Sequence, residues 1–312
     1  MTPSISIIIP VYNVAQYVGE CLQSVARQDY SGPIECIVID DCSSDSSLQV
    51  VREFVAAYTG DVRFVVLQQA RRQMQSAARN RGLRQAQGEY IYYLDADDWL
   101  HPATLSVMVA ALVRHPDSQL VQAGVTTTQP GVFAWLDCAT WSDTQREYCA
   151  DPGWIVDTCA RHCGMIPMTP VSKLLSRSFL MEHHLMFREG IYYEDDLWQV
   201  MLSMHLQRVA FVHQNLYHYR IRPDSTVGGG RRVYPQYRRL VWNEIMDLLG
   251  PGFHPQSVLS QIECDTTDFL TQHRSWSVWR MVLGIKWRLL TLSSWRYRLI
   301  IVRRLARTLW VS

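Results

Sequence analysis

Tyr90-Ile91-Tyr92-Tyr93-Leu94-Asp95-Ala96-Asp97-Asp98 decides the reading of this chain: an apolar, aromatic run ends in three carboxylates within four positions. A short run of that kind next to polar residues reads as a buried strand. Carboxylates crowded at its carboxyl end repel one another and lose hydration, which a divalent cation would relieve. Mg²⁺ and Mn²⁺ seldom rely on an all-protein cage and share the phosphates of a substrate, so the motif suits a cation held jointly with a diphosphate. A second reading keeps Asp97 and Asp98 as caps of the helix expected after Pro102.

Outward from this stretch, short β-branched runs alternate with amphipathic spacing. Ile5–Ile9, Cys36–Ile39, Phe64–Leu67 and Leu120–Val125 read as strands. Between them, Val14, Tyr17, Val18, Cys21, Leu22 and Val25, then Leu48, Val51, Phe54, Val55 and Tyr58, recur at helical spacing, as do Leu105, Val109 and Leu112; Ser76–Ala86 reads as a polar helix. The alternation predicts an α/β fold, a mostly parallel sheet flanked by helices, with ligands bound beyond the carboxyl ends of the strands. Residues 129–170 read as an irregular insertion. A helix is expected after Glu194-Asp195-Asp196, and a strand at Val209–Val212. The break Gly228-Gly229-Gly230 predicts a boundary between residues 1–227 and a helical region, 228–312.

Other strand ends carry polar groups. Asp40-Asp41 follows the second strand, where Asp41, Ser43, Ser44 or Asp45 can also cap the next helix. Pro10-Val11-Tyr12-Asn13 ends the first, offering an aromatic face to a base at Tyr12 and a helix start at Asn13. Glu194-Asp195-Asp196 can supply a general base from a separate element, or complement a helix dipole in its first turn. Arg79, Lys173, Arg220 and Arg222 are candidates for phosphate contacts.

Composition narrows the class. The chain has 312 residues, is 48% hydrophobic and 19% charged, and has a formal net charge of +1, which places it among globular proteins. No Gly-x-Gly-x-x-Gly, Gly-x4-Gly-Lys-Ser/Thr or His-Glu-x-x-His sequence occurs. Eight cysteines, mostly in apolar runs, suit a reducing cytoplasm, and Cys159 and Cys163 with His162 lack a second ligand pair at zinc spacing. Neither a secretory signal nor a membrane span is expected.

The order and spacing of these motifs resemble glycosyltransferase family 2 on a GT-A fold. The likeness rests on Ser6-Ile-Ile-Ile-Pro10-Val-Tyr12-Asn13, on Ile37-Val-Ile-Asp40-Asp41-Cys42-Ser43-Ser44-Asp45, and on Ser76-Ala-Ala-Arg79-Asn80-x-Gly82 with Gly88-Glu89-Tyr90-Ile91. Leu94–Asp98, Glu194-Asp195-Asp196 and Tyr217-His218-Tyr219-Arg220 complete it, over residues 4–226. The resemblance implies inverting, metal-dependent transfer of a sugar from a nucleotide donor, usually a UDP-sugar, to a hydroxyl of a glycan or lipid-linked glycan. It implies donor contacts from Pro10, Tyr12, Asn13, Asp40, Asp41, Arg79, Asp95, Ala96, Lys173 and Arg220. It also implies Mn²⁺ or Mg²⁺ on Asp97 with Asp95, and a catalytic base at Asp195 flanked by Glu194 and Asp196. Two departures stand out: Cys42 replaces a Gly, so its turn is expected to avoid a strained backbone, and Gln68–Gln75 replaces an Asn- and Gly-rich loop. The alternatives are a sugar-nucleotide nucleotidyltransferase, for which the N-terminal region lacks the expected phosphate-binding Lys, and a non-catalytic binding protein that retains the GT-A fold.

Charge is unevenly distributed. After Asp268 there is no acid but there are nine bases, leaving residues 1–268 at −8. Residues 274–312 also hold five of the eleven Trp. Trp and Arg without acids are the composition of an interfacial helix, so this region is expected to dock on an anionic membrane, with the protein peripheral on the cytoplasmic face. A helical pair packed on the catalytic domain is the other reading. No nucleic-acid partner is expected.

Overall fold

The computed structural model describes residues 2–129, 131–141, 143, 145–159, 165–222, 235–249, 282–287 and 289. Strand β1 (Ile5–Val11) forms where Ile5, Ile7, Ile8 and Ile9 are all buried, as expected for a strand covered on both faces. Helix α1 (Val18–Ala26) leads to β2 (Ile34–Asp40), α2 (Ser47–Ala57) to β3 (Arg63–Gln68), and α3 (Met74–Gln85) to β4 (Tyr90–Tyr93). These strands pair in parallel in the order β3-β2-β1-β4. Because the chain moves outward from β1 on one side and then returns to its other side, a crevice opens beyond the carboxyl ends of β1, β2 and β4.

The second half of the sheet is mixed. After β5 (Trp99–Leu100) and α4 (Thr104–Arg114), β6 (Leu120–Thr127) pairs in parallel with β9 (Val209–Tyr219). Between β4 and β6 lies β8 (Lys173–Ser176), antiparallel to both, and β5 pairs antiparallel with β9. The sequence pattern overlooked β8 because four residues opening on Lys carry no periodicity. It also ended β9 at Val212, where His213-Gln214-Asn215 interrupts the apolar run. The strand continues because Gly124 of β6 leaves room: a Cβ there would lie 2.1 Å from Asn215 Oδ1. The irregular 129–170 region contains the short strand β7 (Tyr148–Cys149) against β9, and helix α5 (Pro152–Cys159).

Helix α6 (Arg177–Glu182) precedes α7 (Glu194–His205), which lies under α8 (Pro235–Leu249). Leu197 and Val200 of α7, Val241, Trp242, Ile245 and Met246 of α8, and Val282, Ile285 and Leu289 form one apolar cluster. The described part of the basic tail is therefore packed against the protein, with Lys286 buried and Trp287 exposed. The Gly228–Gly230 break and the other tail bases and tryptophans lie outside the described residues. None of the described helices is long and apolar enough to cross a membrane. Cys21, Cys36, Cys42, Cys138, Cys149 and Cys159 are free thiols; Cys163 and Cys264 lie outside the described residues.

Candidate active site

Helix α3 explains the Ser-Ala-Ala-Arg-Asn-x-Gly motif. A Cβ on Gly82 would meet Ile8 Cγ2 at 2.4 Å and Ile39 Cδ1 at 2.9 Å, so only a small residue lets the helix lie this close to the sheet. That approach buries Arg79 to 2% exposure, where its Nη2 donates to Asp95 Oδ1 at 2.7 Å and its Nη1 to Glu194 Oε1 at 3.2 Å. Burial works against its charge, but the two carboxylates outweigh it and hold the guanidinium above its ordinary pKa. Arg79 thus ties the end of β4 to the start of α7. It was expected on a phosphate; the structure gives it to two protein carboxylates. Gln75 also donates to Glu194, whose pKa rises through burial against the pull of Arg79.

The acidic turn is held from β9. Tyr217 Oη accepts from Asp95 N at 3.2 Å and donates to Asp98 Oδ2 at 2.6 Å, while Arg220 N donates to Asp98 Oδ1 at 2.7 Å. Burial, with Asp97 and Asp95 nearby, pushes Asp98 well above the ordinary carboxylate range. Arg220 Nε donates to Asp97 O at 2.9 Å and its Nη2 to Glu20 at 2.5 Å, so this guanidinium too is committed to protein partners. Asp97 Oδ2 lies 2.7 Å from Arg222 Nε, and its pKa is raised by burial and by Asp95. Neither Asp97 nor Asp98 caps α4, whose cap residue Ala103 makes no side-chain cap bond. Ala96 is buried within the turn.

At the ends of β1 and β2, Asn13 does not begin a helix. It takes a left-handed φ of 51°, accepts from Ser44 N at 2.8 Å and donates to Ser44 Oγ at 3.1 Å, joining the two strand ends. Asp45, not Asp41, serves α2: its Oδ1 accepts from Ser47 N at 2.9 Å. Asp41 accepts from Gln73 N at 2.6 Å, Met74 N at 2.7 Å and Gln69 Nε2 at 2.8 Å, so it anchors the start of α3. Its pKa is raised by burial despite those donors. Asp40 is fully buried and accepts from Ser43 N at 3.3 Å. Pro10 stands in β1 opposite Ile39. The Arg72 guanidinium lies over the Tyr12 ring, 4.2 Å from its centroid. Cys42 has a φ of 60°, so the expectation that its turn avoids strain is corrected: the turn keeps the left-handed conformation a Gly would favour.

In α7 the three acids separate by partner. Glu194 is bound by Arg79 and Gln75, and Asp196 pairs with Arg238 of α8, whose guanidinium stacks 3.7 Å from the Tyr193 centroid. Among the described residues, Asp195 Oδ1 accepts from Asp196 N alone, at 3.2 Å. Burial, with Asp196 and Glu194 beside it, pushes Asp195 well above the ordinary carboxylate range. Lys173, expected on a phosphate, directs its ammonium to two backbone carbonyls. It is fully buried on β8, donating to Pro167 O at 2.8 Å and Thr169 O at 2.5 Å, and burial pushes its pKa down to about 7.

Among the described residues, no three His, Cys, Asp or Glu side chains form a complete metal cage. Asp95 and Asp97, with side chains 29% and 19% exposed, nevertheless offer two hard oxygen donors at the mouth of a like-charged cluster. That donor set fits Mn²⁺ or Mg²⁺ completed by phosphate oxygens. Sequence reasoning missed Tyr217 as the bridge within the turn, Glu20 as partner of Arg220, Arg72 over Tyr12, and Arg238. Of these, only Tyr217 lay inside a recognised motif.

An α/β sheet with acidic strand ends around a switch-point crevice, and a carboxylate facing it from a separate helix, defines a GT-A-type protein. The sequence profile of Glycosyl transferase family 2 matches residues 6–174, and the chain belongs to that family, which places it among the transferases. It is 29% identical to EpsH of Bacillus subtilis over 230 residues, 72% of this chain and 63% of EpsH. It is 25% identical to the poly(ribitol-phosphate) beta-N-acetylglucosaminyltransferase TarS of Staphylococcus aureus over 279 residues, 87% of this chain but 44% of TarS. The fold is similar to the crystal structure of S. aureus TarS 1–349 in complex with UDP-GlcNAc, with a TM-score of 0.71, 20% identity and coverage of 93% of this chain and 82% of that one. It also resembles the mannosyltransferase PcManGT from Pyrobaculum calidifontis in complex with GDP-Man and Mn²⁺, with a TM-score of 0.53, 17% identity and coverage of 100% and 88%.

Proposed function

We propose that the chain transfers a sugar, with inversion, from a nucleotide donor to a hydroxyl of a glycan or lipid-linked acceptor. The observation that carries this reading is the division of labour among the acids: Glu194 and Asp196 are bound by arginines, while among the described residues the carboxylate of Asp195 accepts only from the neighbouring Asp196 N. The raised pKa of Asp195 makes it a stronger base than an ordinary Asp, suited to taking the proton of an acceptor hydroxyl as that oxygen attacks the anomeric carbon. Arg79 fixes Asp95 and Glu194 relative to each other, so the donor-side turn and the base-bearing helix share one support. Asp97, with Asp95, would hold Mn²⁺ or Mg²⁺, which offsets the charge developing on the leaving diphosphate. Tyr12, at the end of β1, is the candidate stacking face for the base. UDP-sugars are the first donors to test, since the fold is similar to that of a protein solved with UDP-GlcNAc. Transfer from a panel of UDP-sugars with Mn²⁺ is expected to be abolished in Asp97→Asn and in Asp195→Asn. Unchanged turnover in both would refute the assignment.

The basic, Trp-rich tail supports a location at an anionic membrane surface on the cytoplasmic side. We also propose that the chain divides at the Gly228-Gly229-Gly230 break, into residues 1–227 and 228–312.

A further inference from the structure

Each metal-binding candidate in the acidic turn already faces a guanidinium, and the two guanidiniums are held differently. Arg79 on Asp95 is buried, bridges to Glu194 and rises from the middle of α3; it cannot leave without unpairing a buried charge. Arg222 on Asp97 lies at the rim beyond the end of β9, with both side chains 19% exposed and its guanidinium 5.1 Å from the Tyr17 ring. Arg220 fastens the segment just before it, through Asp98, the carbonyl of Asp97 and Glu20. The acidic turn therefore keeps its Arg220 supports when the Arg222–Asp97 pair opens.

A guanidinium 2.7 Å from Asp97 Oδ2 meets the same electrostatic need as a divalent cation, and the two cannot share that oxygen: a cation at ~2.1 Å would repel the arginine beside it. A planar guanidinium displaced toward the crevice is matched in shape and charge to a diphosphate. We propose that Arg222 is a counter-ion placeholder. It neutralises Asp97 while the donor is absent, yields that carboxylate to the divalent cation, and transfers its guanidinium to the diphosphate of the incoming nucleotide. The proposal rests on the nucleotide-sugar reading above and adds an exchange of partners that orders metal and donor binding.

The test uses the full chain. Mn²⁺ affinity without nucleotide is read from the electron paramagnetic resonance of free Mn²⁺, and UDP affinity at saturating Mn²⁺ by calorimetry. In Arg222→Gln, Mn²⁺ alone is expected to bind about tenfold tighter, because its competitor is gone, and UDP about tenfold weaker, because a phosphate partner is gone. Changes of opposite sign separate exchange from a merely structural arginine, whose loss would weaken both. Unchanged or weaker Mn²⁺ binding, or unchanged UDP binding, overturns the proposal. If Arg222→Gln fails to fold, Arg222→Lys is expected to shift both affinities in the same directions by less, and no shift overturns the proposal equally. Wild-type protein that binds neither Mn²⁺ nor any nucleotide would sink the nucleotide-sugar reading together with this one. Normal wild-type binding with unaltered variants would sink the exchange alone.

Discussion

Cys42 holds a φ of 60° one position after Asp41, and Met74, whose N–H donates to Asp41, holds 69°. Both stand where the resemblance implies a Gly or a Gly-rich loop. For an L side chain the left-handed region costs roughly 1–2 kcal/mol, set against ~0.4–1 kcal/mol of extra unfolded-state freedom when Gly is introduced. Cys42 is exposed, so little packing is lost with it. Cys42→Gly is expected to raise stability by about 0.5–1 kcal/mol, and Cys42→Val, with a branched Cβ, to lower it; thermal denaturation of both variants checks the sign. At Asp195 the expected loss in Asp195→Asn is ~10²–10⁴-fold in kcat, the range for a general base. Because the folded-state pKa of Asp195 is raised, its carboxylate forms only above the ordinary Asp range. The acid limb of kcat against pH is expected to be displaced upward accordingly, and this group's contribution to stability is present at low pH and lost as pH rises through its folded pKa. A limb at the ordinary Asp position would assign the base elsewhere. The acids themselves were legible in the sequence because they sit at strand and helix ends. Which of them the arginines bind was not, since that depends on Arg79 and Arg238, separated from Glu194 and Asp196 by 115 and 42 positions.

Helix α3 couples the two halves of the site through one side chain. Replacing Arg79 by Met leaves Asp95 and the buried Glu194 without their shared cation, and breaking a buried pair in this way costs about 3–5 kcal/mol. Arg79→Met is therefore expected to lower the denaturation midpoint markedly and to reduce turnover, and Arg79→Lys to recover only part of either, because one ammonium cannot fork to two carboxylates. Full activity in Arg79→Met would show that β4 and α7 are positioned independently. The elements flanking α3 were readable because β1, β2 and β4 are buried apolar runs, the local signature of a parallel sheet. Strand β8 was not readable: its place is set by partners on both sides, β4 and β6, rather than by its own four residues.

Across the whole molecule, the acidic body and the basic tail meet at the apolar cluster over α7. Ile285 and Val282 pack with Leu197 and Val200, one turn beyond the acids of the site. Ile285→Ala removes buried volume there and is expected to cost about 2–5 kcal/mol, seen as a lowered thermal midpoint. Trp287, two residues on, is 69% exposed and belongs to the other face of the same helical stretch. A residue of this kind adds nothing to the folded core, yet Trp is favoured at a membrane–water boundary, where the tail's positive charge would also gain ~1 kcal/mol per base near an anionic leaflet. Trp287→Ala is therefore expected to leave the thermal midpoint unchanged while lowering the fraction that sediments with vesicles containing phosphatidylserine, and high salt is expected to lower it further. The two substitutions separate the packed face from the exposed one. Sedimentation that is independent of both Trp287 and salt would mean that this surface does not contact the bilayer, and the tail's described part would then serve only to brace α7.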